Sequence, residues 1–393
     1  MASNFRRLLP FYMIVLFWNI SWTSSANGPV MPLYAKSVGI GILGWSFLVA
    51  SFGIGMILLE LVWGTLYDRF NRRLVMICSL LSMTAIYPLY TLHTRIWYLA
   101  ILEFLTGALG VAMGPTTRAF VSEESRSESF GVSTGLMMVS STLGGIVGSA
   151  LGAFVAQEWS FNYSFYASAL LSLFTAALIL LSLPARKKVD EHLNRDNLVR
   201  GLKPILHTRS AWILFFAAVC ATLGAVSIRS FLPLYASERI GMSTLQIGLL
   251  ISATSAAQLI AMLLLGLISD RIGRRRTAIL GFLLASLTFP LFFIAKSPFD
   301  LTVVSLVVSL GLSASSLLFW LVPEVTPRGL YGTVVGMYGS FEDAGVILSP
   351  IVYGFIWSSY GPASIFGAAS FTTLLAALFL LSKFPKRNDI KDA

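Results

Sequence analysis

Runs of about twenty predominantly apolar residues recur from one end of this chain to the other. No other feature restricts the fold as severely. Hydrocarbon offers no hydrogen-bond partners, so a segment that crosses it must satisfy its own backbone as a helix or close into a β-barrel. Barrel strands alternate apolar and polar residues, whereas these runs are long and uniformly apolar. Helices therefore win. Composition agrees: of 393 residues 56% are hydrophobic and 12% charged, with a mean hydropathy of +0.78, against about 25% charged in a soluble chain. The fold class is an all-α polytopic membrane protein with twelve transmembrane helices, predicted at 10–34, 43–66, 74–92, 97–119, 131–156, 163–183, 211–235, 246–268, 277–295, 300–322, 332–358 and 363–382. Arg6 and Arg7 precede a first run too long for a signal-peptide core, so no cleavable signal is expected.

Those helices fall into two related sets. Gly64, Asp68, Arg69, Arg72 and Arg73 recur as Gly266, Asp270, Arg271, Arg274 and Arg275, 202 residues later, each copy just after an apolar run. Pro32-Leu33-Tyr34-Ala35 recurs at 233–236, and Gly39 recurs as Gly241. Gly135 and Gly144 recur as Gly336 and Gly345. Six spans per half return the chain to its starting side, which makes the repeat parallel. The expected organisation is an N-terminal six-helix bundle over 1–183, a linker over 184–210, and a C-terminal bundle with its tail over 211–393. The linker carries seven Lys and Arg, three acids and two His, and reads as a solvated tether.

A net charge of +10 invites a nucleic-acid reading, but the distribution argues otherwise. Of 28 Lys and Arg, 23 lie at the termini, in the loops after spans 2, 4, 6, 8 and 10 or, for Arg118, at the very end of span 4. Lys36, Arg95, Arg239 and Lys296 lie on the opposite side, and Arg229 lies within a span. This is the positive-inside bias, so both termini are expected in the cytoplasm of a multi-pass cell-membrane protein. The basic excess orients the chain, and no basic–aromatic motif points to nucleic acid. Cys78 and Cys220 lie far apart in apolar spans and read as small buried hydrophobes. His93, His192 and His207 form no ligand pair, so no metal or other cofactor is expected.

The doubled loop resembles the signature Gly-x-x-x-Asp-Arg-x-Gly-Arg-Arg of the major facilitator superfamily, and the likeness extends over essentially the whole chain. The second copy matches throughout, including Gly273; the first has Asn71 at that place, a residue that tolerates a left-handed turn. Small Gly64 and Gly266 suit close helix approach, and Asp68 and Asp270 can pair with nearby Arg. The resemblance implies that both loops gate the transport cycle, with Gly64, Asp68, Arg69, Arg72, Arg73, Gly266, Asp270, Arg271, Gly273, Arg274 and Arg275 carrying that role. An alternative is that the Arg residues only enforce topology. Span 5 resembles the antiporter motif of the same superfamily through Gly135, Gly144, Gly145 and Gly148, with Gly152 extending the small face; Gly145 and Ser149 replace its Pro and last Gly. The family reading is a helix that seals the interface of the halves; the simpler one is small-residue packing. Gly28-Pro29-Val30-Met31-Pro32 resembles the drug-exporter branch. In span 4, where the family often carries Arg, this chain has Glu103.

Five ionisable residues sit well inside spans: Glu60, Glu103, Arg229, Glu342 and Asp343. Each charge near the bilayer centre costs about 2.5–3.5 kcal/mol on insertion scales. Arg229 cannot neutralise four acids. Some are protonated, hydrated in a cavity, or paired with substrate, as a proton-coupled carrier needs. Glu60, Glu342, Asp343 and Glu103 are the candidates for proton coupling. In the repeat, Glu60 corresponds to Met262, and Glu342 and Asp343 correspond to Ser141 and Thr142, so repeat packing alone does not require these acids. Glu103 lies near the outer end of its span and has snorkelling toward water as its plainer reading. Arg229 is a candidate for substrate, for an acid, or for snorkelling. From the helices with which the superfamily lines its cavity, Trp18, Asn19, Trp22, Asn27 and Trp320 are candidate substrate contacts; interface anchoring is the alternative for the aromatics.

The sequence thus reads as a secondary active transporter working by alternating access, with a small-molecule substrate, protons and the lipid bilayer as partners, as a monomer. Proton-coupled export of a lipophilic or drug-like compound is the first expectation. Proton-coupled uptake of a metabolite or sugar, anionic if Arg229 holds it, is the alternative. No Ser/His/Asp set, metal cluster or nucleotide loop supports an enzyme, and a non-transporting sensor or scaffold is the reading from another class.

Overall fold

A computed structural model describes residues 2–69, 71–125, 130–183, 208–326 and 331–382; for 2–6, 60, 61, 64–69, 122, 123 and 331–333 it describes the backbone alone. Most of the expected linker, 184–207, lies outside the described residues. Within them every regular element is helical. The helices group into twelve stretches, matching the expected spans in order. They are α1 (Ala2–Ser24, resuming as Val30–Ser37), α2 (Ile42–Arg69), α3 (Arg72–Leu89) and α4 (Ile96–Gly110, resuming as Met113–Glu124). Then come α5 (Phe130–Glu158), α6 (Phe161–Ser182), α7 (Arg209–Ile240) and α8 (Thr244–Ile272). The last four are α9 (Arg274–Phe293), α10 (Pro298–Leu312, resuming as Ser315–Val325), α11 (Tyr331–Tyr360) and α12 (Ser364–Leu381). Ten qualify as membrane spans by length and composition among the described residues. The other two are α1, whose apolar run is diluted by Arg7, Pro10, Asn19 and several Trp, Ser and Thr, and α11, whose run is diluted by Glu342, Asp343 and several Gly and Ser.

Three local features depart from the expected uninterrupted spans. α1 breaks at 25–29, where Asn27 donates its N–H to the Trp22 carbonyl and Gly28-Pro29 follows. A Cβ at Gly28 would overlap the Thr23 carbonyl, and Pro29 has no N–H to continue the ladder. α4 and α10 each turn briefly, at 111–112 and 313–314. In α7, Ser227–Phe231 and Ala236–Ile240 are π-helical and flank Pro233. Leu232 donates to the Ser227 carbonyl five residues back, an accommodation that lets the helix run past the proline.

Contacts divide the chain into two units, Met1–Glu191 with Ala236–Ala256, and His192–Tyr235 with Ala257–Ala393. In the first, α1 packs on α5 and α6, α2 on α4, and α3 on α6 and α4. In the second, α7 packs on α11 and α12, and α9 on α12 and α10. The pairs 1·5, 1·6, 3·6 and 3·4 thus reappear as 7·11, 7·12, 9·12 and 9·10. The sequence repeat is also a packing repeat. Gly39 and Gly241, paired in sequence, both take left-handed backbone, φ 83° and 72°, where each half turns into its second helix.

Small residues let these helices meet backbone to backbone. Gly144, Gly148 and Gly152 lie one turn apart on α5, and a Cβ at any of them would overlap α1, at Leu16 and Asn19, at Thr23 and Ile20, and at Ser24. Gly345 has the equivalent place in α11, where a Cβ would lie 2.8 Å from the Thr222 Cβ. Among the described residues, Gly135 and Gly336 have no neighbour within 4 Å of such a Cβ, and Gly145 meets only the Thr23 methyl at 3.9 Å. Of the five span-5 glycines, three therefore pack tightly, and they do so on α1 of their own unit. Another side of α5 meets the start of α8: Gly248 abuts Ala153 and Ser149, Ser252 donates to the Ile146 carbonyl at 2.7 Å, and the Gln157 side chain accepts from the Leu245 N–H at 2.9 Å. Cys220 is buried as expected, but Cys78 is exposed, because its side chain points away from the α3 core face formed by Val75, Met76, Ile77 and Ser79. Gly152→Leu should destabilise the fold by about 1–3 kcal/mol through overpacking, whereas Gly135→Ala should be neutral or stabilising by up to about 1 kcal/mol. Thermal unfolding of the purified protein in detergent checks both.

Candidate functional site

The two loop copies are built differently at their turn. Gly273 has φ 93° and starts α9 with no side-chain cap. Asn71 does not take the left-handed conformation anticipated for it. It lies at φ −64°, ψ 121°, and its side chain accepts the Arg73 N–H at 3.0 Å, so it is an N-cap. Both copies nevertheless use the last Arg alike. Arg73 donates to the Leu180 carbonyl at the end of α6. Arg275 donates to the Leu380 carbonyl at 2.7 Å and to the Ser382 carbonyl at 2.8 Å, at the end of α12. Helix C-termini leave carbonyls unpaired and carry negative partial charge, which a guanidinium satisfies on both counts. This tie is not visible in the motif, because its acceptors are backbone atoms more than a hundred residues away.

The rest of each loop is more open. Among the described residues Gly266 has nothing within 4 Å of where a Cβ would stand. Asp270 and Arg271 are exposed, and Asp270 forms no ion pair among the described residues. Arg274 donates to the Trp320 carbonyl at 3.1 Å and sits 5.9 Å from the centre of its ring. Trp320 therefore belongs with the loop, beside Arg274. Arg72 is half-buried. Gly64, Asp68, Arg69 and Glu60 are carried by the α2 backbone, but their side chains lie outside the described residues. One ion pair that the sequence pattern does not reveal joins Arg7 near the start of α1 to Glu124 at the end of α4.

Two of the intramembrane acids are held by tyrosine hydroxyls. Glu103 is only 4% exposed, so it does not snorkel. The Tyr90 hydroxyl donates to its Oε1 at 3.1 Å and lies 3.0 Å from the Thr106 hydroxyl. Tyr90 is fully buried and stacks on Phe165 with ring centroids 5.0 Å apart, while its own carbonyl accepts from the Tyr34 hydroxyl at 2.7 Å. The carboxyl is thus fixed by α4, by the end of α3 and, through Phe165, by α6. In the other unit, buried Tyr338 donates to Glu342 at 3.0 Å, one turn along α11. Glu342 and Asp343 are half-buried. Arg229 lies on the first π-helical turn of α7; its side chain is exposed while Ser227, Ile228 and Phe231 around it are buried.

The α1 candidates separate along the helix. Trp18 packs against the core of the first unit with its indole N–H buried and unpaired. Asn19 closes a local bond to the Val15 carbonyl at 2.9 Å and lies against Gly144. Trp22 fills the space left by Gly110 and approaches Phe52, with centroids 6.0 Å apart, so its ring joins α1 to α2 and α4. Asn27 is part of the break that ends the first segment.

Replacing Arg275 with Ala removes two charge-assisted bonds to the end of α12 and should cost about 1.5–3 kcal/mol. Lys, with no planar fork, should recover only part of this. Thermal unfolding of wild type, Arg275→Ala and Arg275→Lys tests the order.

Comparison with known proteins places this architecture. The family model for the Major Facilitator Superfamily matches residues 13–246 and 214–392. A Bacillus subtilis protein described as an uncharacterised MFS-type transporter, YuxJ, is 25% identical over 387 residues, covering 93% of this chain and 96% of that protein. The multidrug resistance protein MdtG of Salmonella paratyphi A is 26% identical over 382 residues, covering 91% of each. Among solved structures, the nucleoside transporter NupG superimposes with a TM-score of 0.81 at 13% identity, over 96% of this chain and all of that one. An inward-facing, unoccupied bacterial homologue of the human lysosomal transporter Spinster gives a TM-score of 0.76 at 13% identity, over 96% and 95%. With both halves matched by the family model and the twelve-helix repeat in place, the chain belongs to the major facilitator superfamily: it is a multi-pass membrane transporter of a small-molecule substrate, and not an enzyme.

Proposed function

We propose that this transporter exports a lipophilic or drug-like compound in exchange for protons, working by alternating access as a monomer in the cell membrane with both termini in the cytoplasm. The observation that carries the proton half of this reading is Glu103. A carboxyl only 4% exposed, carried by a membrane helix and held by a tyrosine hydroxyl, is a costly feature that packing alone does not call for. Glu342 with Tyr338, then Asp343 and Glu60, supply further carboxyls along the route. The likeness to a multidrug resistance protein along 91% of the chain supports export of a lipophilic compound. In this reading the two sequence halves, 1–183 and 211–393, joined by 184–210, alternate access to the substrate, and the paired loops with their Arg ties gate the motion. Trp22 offers an aromatic face, Arg229 a cation, and Trp18 and Asn19 adjacent surface for substrate.

The exposed Arg229 favours a second reading, proton-coupled uptake of an anionic metabolite. Proteoliposomes with an imposed pH gradient separate the two. Antiport predicts that a fluorescent lipophilic dye accumulates when the lumen is the more acidic side; accumulation only with an acidic exterior supports uptake. Glu103→Gln should lower gradient-driven accumulation on the order of tenfold or more while sparing substrate-for-substrate exchange without a gradient. If that variant, and Glu342→Gln with Asp343→Asn, leave gradient-driven transport unchanged, proton coupling through these acids fails.

A further inference from the structure

The second loop copy borders a cleft of about 440 Å³ whose walls include Arg274, Arg275 and Arg276 and a single acid, Glu324. Glu324 forms no ion pair among the described residues, and three arginines against one acid leave the lining with a surplus of positive charge. Two of the three are set in place: Arg275 by the end of α12, and Arg274 by the Trp320 carbonyl and ring. Arg276 is exposed and makes no hydrogen bond or ion pair among the described residues. The cleft therefore presents a cation with no partner among the described residues beside two fixed ones, at the membrane face where the basic loops gather.

What lies below Arg276 decides the kind of anion. Residues three or four apart on a helix share a face. Along α9, Arg276 is followed by Leu280, 57% exposed, Leu284, 40% exposed, and Leu287, 76% exposed. A cation thus stands at the head of an uninterrupted apolar stripe. At the rim, Ile272 and Leu381 add exposed apolar surface. A free phosphate would use the arginines and leave the stripe idle. A phospholipid would use both, with its phosphate in the cleft and an acyl chain along the leucines.

We infer that this cleft binds an anionic phospholipid, its phosphate at Arg276 within the field of Arg274 and Arg275, and its chain on Leu280, Leu284 and Leu287. The first loop copy has no equivalent of Arg276, since Leu74 follows Arg73. The site belongs to the second repeat alone.

The test uses full-length protein in a neutral detergent, with thermal unfolding followed as phosphatidylglycerol, phosphatidylcholine or inorganic phosphate is titrated in. Phosphatidylglycerol should stabilise wild type saturably, and phosphatidylcholine and inorganic phosphate should not. Arg276→Gln, an exposed change, should weaken the apparent phosphatidylglycerol affinity about fivefold, the factor expected of one arginine near an anionic headgroup, and Arg276→Lys should restore most of it. Equal stabilisation by phosphatidylcholine would overturn the inference. So would an unchanged response in Arg276→Gln, or full stabilisation by inorganic phosphate alone, which would make the cleft an ion site rather than a lipid site.

Discussion

A polar group carried into hydrocarbon can bond only to the protein itself, and this condition organises the whole molecule. Hydroxyls turn back on their own helices: Ser46 bonds to the Ile42 carbonyl, Ser51 to Phe47, Thr175 to Leu171 and Ser305 to Leu301. Where the helix cannot supply a partner, another helix does. Tyr90, just past the end of α3, reaches Glu103, Tyr34 reaches the Tyr90 carbonyl, and Ser21 reaches Ser168 and Ser172. At the membrane faces, where helices end with open carbonyls, Arg73 and Arg275 close them. A carboxyl held under this condition is costly, and this is why Glu103 carries more of the functional proposal than any loop charge.

The two repeats obey the same packing rules and differ in their chemistry. Gly144 and Gly345 occupy equivalent places against α1 and α7, and Arg73 and Arg275 close equivalent helix ends. Against that common frame, Asn71 caps a helix that Gly273 leaves uncapped, Glu342 and Asp343 stand where the first half has Ser141 and Thr142, and Glu103 lies in the first half. The packing is thus repeated between the halves, and the charges are not.

Much of this was legible from residues alone, for identifiable reasons. Twenty-residue apolar runs have one solution in hydrocarbon, so the twelve helices followed from length and composition, and repeated residues at offsets of 201 and 202 announced the paired packing. Features set by contacts between distant segments were not legible. Burial of Glu103 depends on Tyr90, thirteen residues earlier and at the end of another helix. The tight packing of Gly144, Gly148 and Gly152, against the open surroundings of Gly135 and Gly266, is decided by which face meets a neighbour. The contact of Trp320 with the Arg274 guanidinium joins residues 46 positions apart and shows in neither motif.

Coupling between substrate and proton underlies the whole functional reading, and it is reciprocal: if a proton gradient drives substrate, a substrate gradient must drive protons. The decisive experiment loads a lipophilic substrate into weakly buffered proteoliposomes that enclose a pH-sensitive dye, dilutes them into substrate-free medium with no initial pH difference, and follows lumenal pH. Antiport predicts that the lumen acidifies as substrate leaves, and that Glu103→Gln abolishes the change. A lumen that turns alkaline, or one whose pH stays constant while substrate flows out, would rule out proton exchange.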